Sequence, residues 1–86
     1  MYTEKSIMRM FMKLGQIPVD DGYEMFIISH SGKYKLRARP NGRREPGVSW
    51  MVSIDNLKDP NRSEYDYFTT YYPSTLKAAV GYMEYV

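Results

Sequence analysis

The chain has 86 residues, a formal net charge of +2 and no cysteine. This length predicts a single small domain, residues 1–86, with one core of modest size. The absence of cysteine excludes disulfides and thiolate metal sites, so apolar packing has to stabilise the fold, and it favours a cytoplasmic location.

The amino-terminal segment predicts an amphipathic helix from about Glu4 to Leu14. Thr3 is a suitable N-cap and Gly15 a suitable stop. The apolar residues that recur at helical spacing are Ile7, Met10, Phe11 and Leu14. We expect Met8 and Met12 to widen this apolar face and to fill the core.

The apolar amino-terminal segment does not fit a signal peptide. Such a peptide has an uncharged apolar core, whereas Arg9 and Lys13 interrupt this segment. Nowhere does the chain approach the run of about 20 apolar residues that a membrane span needs. We therefore expect no membrane partner.

A turn and a hairpin are predicted next. The segment from Gln16 to Gly22 contains a proline and a turn-forming pair of aspartates, so the chain changes direction there. Tyr23 to Ser29 reads as a largely buried strand, and a short connection around His30 joins it to a second strand.

That second strand carries the most informative pattern of the chain. Basic residues alternate with apolar or small ones from Lys33 to Arg39, which is the period of a half-buried strand. The pattern places four cations on one face, called here the basic ladder: Lys33, Lys35, Arg37 and Arg39. A loop from Pro40 to Gly47 adds Arg43 and Arg44.

The basic residues are segregated. Six of the twelve lie in the stretch that begins at Lys33 and ends at Arg44, which contains no acid, whereas the other 74 residues hold six basic and ten acidic groups. One interpretation is an edge strand kept from aggregating by its charges. The other is a surface that binds a polyanion, which the four arginines favour because guanidinium groups match phosphate.

The remainder of the sequence, after the loop that ends at Gly47, predicts two more strands and a second helix. A third strand is predicted where four apolar residues, expected to face inward, alternate with four others: Val48, Trp50, Val52 and Ile54 alternate with Ser49, Met51, Ser53 and Asp55. An aromatic fourth strand is predicted from Tyr65 to Tyr72, and a helix from about Thr75 to Tyr85. The register of the fourth strand stays open. In one register three tyrosines lie beside the ladder as stacking groups, and in the other they belong to the core: Tyr65, Tyr67 and Tyr71.

These elements predict an α+β fold, in the order α-β-β-β-(β)-α. Short connections make its sheet of three or four strands antiparallel, with the amino-terminal and carboxy-terminal helices packed on one face. The opposite face is left open to a ligand.

The order and pattern from Tyr23 to Val86, with the segment from Phe68 to Val80 introducing the last helix, resemble the three-stranded DNA readers of plant AP2 domains and of phage-type integrase arm domains. That resemblance implies a sheet inserted into the major groove. The amino-terminal helix and the loop from Asn56 to Ser63 depart from it. The order is also similar to double-stranded RNA binding domains, but the last helix begins with Lys77 alone rather than a lysine-rich turn. We assign the chain to no family.

Catalysis is not indicated, because the chain has one histidine, no cysteine and no serine in a nucleophile-elbow context. Asp20, Asp21 and Glu24 could suggest a metal cluster, but two aspartates before a glycine more often form a turn. We expect no catalytic residue, no metal and no cofactor.

The sequence therefore predicts a small nucleic-acid-binding protein, with DNA preferred over RNA. The residues expected to neutralise phosphates are Lys33, Lys35, Arg37, Arg39, Arg43 and Arg44. The alternative is a protein-interaction module, such as a phage or mobile-element inhibitor or accessory factor, that docks on an acidic partner surface. Sequence specificity and oligomeric state stay open.

Overall fold

A computed structural model describes residues 2–57 and 70–85 of the chain. In this part of the chain two helices flank five strands. Their bounds are α1 Glu4–Leu14, β1 Val19–Asp20, β2 Met25–Ile28, β3 Tyr34–Pro40, β4 Trp50–Asn56, β5 Thr70–Tyr71 and α2 Leu76–Tyr85.

The strands form one antiparallel sheet in the order β1-β2-β3-β4-β5, so each strand pairs with its neighbour in the chain. The predicted α+β class is confirmed. The two-residue strand β1 lies where a plain linker was predicted. It forms because the turn at Gly22 (φ 92°) folds the chain back and pairs Val19 with Phe26.

Helix α1 has the predicted bounds because both of its ends are capped. Thr3 has an extended backbone, its Oγ1 accepts a hydrogen bond from the backbone N–H of Ser6 at 3.2 Å, and its own N–H donates to Ser6 Oγ at 2.8 Å. Gly15 ends the helix in the left-handed region, at φ 70°.

The core lies between the sheet and the two helices. Its buried apolar side chains come from α1, from α2 and from one face of β2, β3 and β4: Ile7, Met10, Phe11, Met25, Ile27, Leu36, Ala38, Trp50, Val52, Ile54, Ala79, Val80 and Met83. Three of the four residues predicted to face inward around β4 are in this set, and Val48, which precedes the strand, is half-buried. Both helices therefore cover the same face of the sheet.

The expectation that Met8 and Met12 fill the core is wrong, because their exposures are 41% and 75%. Each residue of a helix advances by about 100° around its axis. Met8 follows the buried Ile7, and Met12 follows the buried Phe11, so both methionines lie beyond the edge of the face that contacts the sheet.

Helix α2 starts one residue later than predicted. Thr75 caps it, since the backbone N–H of Ala78 donates to Thr75 Oγ1 at 3.0 Å. The amino-terminal segment also pairs with β4, where the N–H of Trp50 donates to the carbonyl of Tyr2 at 2.8 Å. Within the described residues, neither helix has the length and apolar content to cross a membrane.

Candidate nucleic-acid interface

The face of the sheet opposite the helices is called here the outer face. Along β3, Leu36, Ala38 and Pro40 are buried on the helix side. The residues that alternate with them are half-buried on the outer face: Lys35, Arg37 and Arg39. Lys33 lies in the turn before β3 and is exposed, so the strand itself presents three of the four ladder cations.

The neighbouring strands make the outer face chemically mixed. On the β2 side, Arg37 pairs in register with Phe26, and Lys35 with Ile28. On the β4 side, their partners are Ser53 and Asp55, both buried. The cations therefore form the middle row between an apolar row and a polar row, rather than an isolated basic surface.

Arg37 lies between two carboxylates. Its Nε is 3.7 Å from Glu24 Oε2, and its Nη2 is 3.7 Å from Asp55 Oδ2. The Nε atom is buried and has no hydrogen-bond partner within the described part of the chain. The fold itself balances this charge, so little of it remains for an external anion.

Lys35 is held over an aromatic ring. Its Nζ lies 4.2 Å from the centroid of the Phe26 ring, a cation–π geometry. The ring restrains the side chain without neutralising its ammonium group. Lys35 is therefore a restrained cation that can still bind an anion.

Arg44 lies within a cluster of internal contacts. Its guanidinium bonds both carboxylate oxygens of Asp20, with Nη1 to Oδ1 at 2.6 Å and Nη2 to Oδ2 at 2.9 Å, and its Nη2 bonds Glu4 Oε1 at 2.7 Å. The same group lies 5.2 Å from the centre of the Trp50 ring. The side-chain hydrogen bond from Arg44 lowers the pKa of Asp20 to about 2, and the two carboxylates raise the pKa of Arg44.

Four of the six predicted phosphate ligands form no ion pair with any residue in 2–57 or 70–85: Lys33, Lys35, Arg39 and Arg43. Lys33 and Arg43 are exposed at opposite ends of β3. Lys35 and Arg39, four residues apart on the strand, are separated by roughly 13 Å. The unpaired cations thus extend along the whole of β3.

The predicted stacking tyrosines are only partly within the described residues. Tyr65 and Tyr67 lie outside them. The backbone of Tyr71 belongs to β5 and pairs in register with Ile54. Base stacking by these tyrosines stays a prediction.

The aspartates before β2 form the predicted turn. The N–H of Gly22 donates to Asp20 Oδ1 at 2.9 Å, and the N–H groups of Glu24 and Tyr23 donate to Asp21 Oδ1 at 2.8 and 2.9 Å. The bonds from Glu24 and Tyr23 lower the pKa of Asp21. In the described part of the chain, no group of three or more potential ligand residues is arranged to hold a metal ion.

The ion pairs of Arg37 and Arg44 are what the sequence pattern did not reveal. Arg44 bonds residues 24 and 40 positions away, a separation without the local spacing that identifies pairs on one helix or one hairpin. Opposite charge was the only feature of the sequence that indicated these ion pairs, and several acidic residues fitted it equally well.

Comparison with protein-family models, with curated proteins and with solved structures found no match. The function is therefore inferred from the geometry of the site alone.

Proposed function

We propose that this protein binds nucleic acid in the cytoplasm by placing the outer face of its sheet against the phosphate backbone. The observation that supports the proposal is the row of unpaired cations along β3, formed by Lys33, Lys35, Arg39 and Arg43. Strand β3, fixed on its other face by the core, holds Lys35 and Arg39 in place, so these two side chains lose little conformational entropy on binding.

The spacing of these cations matches a nucleic acid strand. Lys35 and Arg39 are roughly 13 Å apart along β3. One strand of B-form DNA presents a phosphate about every 3.4 Å along the helix axis, or about four over this distance. Several cations of the row can therefore contact phosphates of the same strand at once.

We propose DNA rather than RNA as the ligand. The major groove of B-form DNA is about 12 Å wide and admits a β-ribbon, whereas the major groove of A-form RNA is too narrow for side chains to read. Strand β3 is the central strand of the five-stranded sheet, so in this proposal the cations of its outer face contact the phosphates that border the groove. Arg37 and Arg44 stabilise the fold in this proposal instead of contacting phosphate.

The test is the salt dependence of binding to a labelled DNA duplex, measured by fluorescence anisotropy at about 50 and 200 mM salt. The Arg39→Gln/Arg43→Gln variant removes two unpaired cations from the row. We expect weaker binding and a slope of log K against log salt that is smaller by about two.

The matched control is Arg9→Gln/Lys13→Gln, which removes the same charge from α1, away from the outer face. It should leave the slope close to that of the unchanged protein. Equal losses in both variants would show that net charge alone drives binding. No binding of DNA or RNA at the lower salt would contradict the proposal.

A second candidate is supported by apolar exposure beside the cations. Ile17, Val19 and Ile28 are 95%, 54% and 41% exposed, and the last two lie on β1 and β2. Apolar residues next to cations are also suited to an acidic protein surface with apolar anchors. For that function, Ile28→Ser would weaken binding of an acidic protein while leaving DNA affinity within about twofold, a difference of less than roughly 0.5 kcal/mol.

A further inference from the structure

A second cationic site lies on the helical side of the molecule, in a groove between α1 and α2. The groove has a volume of about 330 Å³. Its rim is formed by Arg9 and Lys13 of α1 and by Lys77 of α2, and its floor by Met10, Leu76 and Val80. The volume is at the lower end of the range found for ligand pockets, about 300 to 1,000 Å³.

The floor is apolar and recessed below the charges. Met10 and Val80 are only 3% and 5% exposed, whereas the three rim cations are exposed. A flat bilayer cannot reach apolar atoms at the bottom of a groove, but a single protruding side chain can. The arrangement therefore favours a ligand with an apolar anchor over a membrane surface.

The rim cations are unpaired, and two of them occupy positions that are unfavourable for their helices. None of the three forms an ion pair with any residue in the described ranges. Arg9 and Lys13 are four residues apart on α1, where like charges repel. Lys77 lies in the first turn of α2, which contains no acid, although the helix dipole disfavours a cation there.

The positions of Arg9 and Lys77 work against the stability of the helices that carry them, whereas Lys13 lies in the last turn of α1, where the helix dipole favours a cation. Local sequence choices of this kind are expected where a site serves a ligand rather than the fold. The charges converge on one groove, and no acid is among the residues that line it. The ligand that complements them carries negative charge on both sides of an apolar group.

We propose that this groove binds an acidic peptide segment of a partner protein. One large apolar side chain of the segment packs on Met10, Leu76 and Val80, and flanking carboxylates pair with the rim cations. A phosphate backbone would leave the apolar floor unfilled, so nucleic acid is not the occupant. This site uses none of the outer-face residues and goes beyond the proposed function.

The probe is a fluorescein-labelled amphipathic peptide of about 15 residues, long enough for marginal helix formation, with leucines on one face and glutamates on both flanks. We expect it to bind the full chain with a Kd in the micromolar range. Replacing its leucines by serine, or its glutamates by glutamine, should each weaken binding at least about tenfold.

Two matched variants of α1 test the location. Arg9→Gln removes a rim charge, whereas Lys5→Gln removes the same charge from an exposed residue of α1 that does not line the groove. Each variant relieves like-charge repulsion at four-residue spacing, so neither should unfold the helix. We expect Arg9→Gln to weaken peptide binding at least about fivefold, and Lys5→Gln to change it less than about twofold.

Equal losses in the two variants would overturn the proposal, since net charge would then explain binding. It would also be overturned if Arg9→Gln changed binding of duplex DNA or of phosphatidylserine vesicles but not of the peptide. Tight binding of dodecanoate, with no affinity for the peptide, would instead identify a site for small amphipathic anions and equally overturn it.

Discussion

Arg44 and Asp20 form a bidentate ion pair across 24 residues of chain, with Nη1–Oδ1 and Nη2–Oδ2 distances of 2.6 and 2.9 Å. Since the same guanidinium bonds Glu4 and lies over Trp50, one side chain connects α1, β1 and β4. The edge strand β1 pairs with β2 over only two residues. Its position therefore depends on Arg44 as well as on the sheet.

We expect Arg44→Gln to lower the free energy of unfolding by about 1–2 kcal/mol, because a bidentate pair and an aromatic contact are lost together. The control is Arg43→Gln, its exposed neighbour, which should change stability by less than about 0.5 kcal/mol. Urea unfolding followed by tryptophan fluorescence measures both. Equal effects of the two substitutions would contradict the structural role of Arg44.

The ion pair also predicts a dependence of stability on pH. Hydrogen bonding by Arg44 lowers the pKa of Asp20 from 3.8 to about 2. A carboxylate with a lowered pKa in the folded state stabilises it above the pKa of the unfolded chain, and this contribution is lost as the pH falls from about 4 towards 2.

The variant Asp20→Asn should therefore be less stable than the unchanged protein at pH 6, and the difference between their melting temperatures should shrink as the pH approaches 2. NMR titration of the Asp20 carboxyl group provides the direct measurement, with an expected midpoint at about 2. A midpoint near 3.8, the ordinary value, would show that the pair does not persist in solution.

Arg37 and Arg39 lie on the same face of β3, but their substitutions should have opposite effects on stability and on DNA binding. Arg37→Gln removes the guanidinium that pairs with Glu24 and Asp55, whose side chains are 18% and 8% exposed. We expect it to lower stability by about 1–2 kcal/mol, with little change in the salt slope of DNA binding. Arg39→Gln should do the reverse: unchanged stability and a reduced slope. Thermal melts measure the stability of the two variants, and salt titrations measure their DNA binding. Equal losses of DNA binding in both variants would contradict the different roles of the two arginines.

Two glycines predict opposite responses to the same substitution. Gly15 has a φ of 70°, a conformation that a Cβ disfavours, whereas Gly81 lies within α2 without a positive φ, and neither would bring a Cβ within 4 Å of a neighbour. Gly15→Ala should destabilise the protein by about 1 kcal/mol. Gly81→Ala should stabilise it by roughly 0.5–1 kcal/mol. If both substitutions stabilised the protein in urea unfolding, the role of Gly15 as the C-cap of α1 would be contradicted.

The elements that the sequence predicted well have local causes. Thr3 and Gly15 fix the ends of α1 through bonds and dihedral angles within a few residues, and the alternation in β3 and β4 follows from the strand period. The two methionines were misplaced because Met8 and Met12 are compatible with either side of a wide apolar stripe. Only the packed helix decides which residues reach the sheet.

The site was less predictable than the fold because its electrostatics depend on contacts between distant residues. Six cations in one stretch read as one basic surface. The fold turns Arg37 towards Glu24 and Asp55, and Arg44 towards Asp20, which separates structural cations from those available to a ligand. The groove between the helices combines residues more than 60 positions apart, Arg9 and Lys77 among them. No linear pattern connects these positions.

The sheet order has a consequence for folding. Each strand pairs with its neighbour in the chain, and closing a short loop costs less entropy than closing a long one. Helix α1 and the segment before it reach the sheet through contacts between residues far apart in the chain, such as Tyr2 with Trp50. We therefore expect Ile54→Val to slow folding, and Ile7→Val to accelerate unfolding instead, as measured in stopped-flow chevrons. Helix α1 would then dock after the sheet has formed, although it precedes the sheet in the chain.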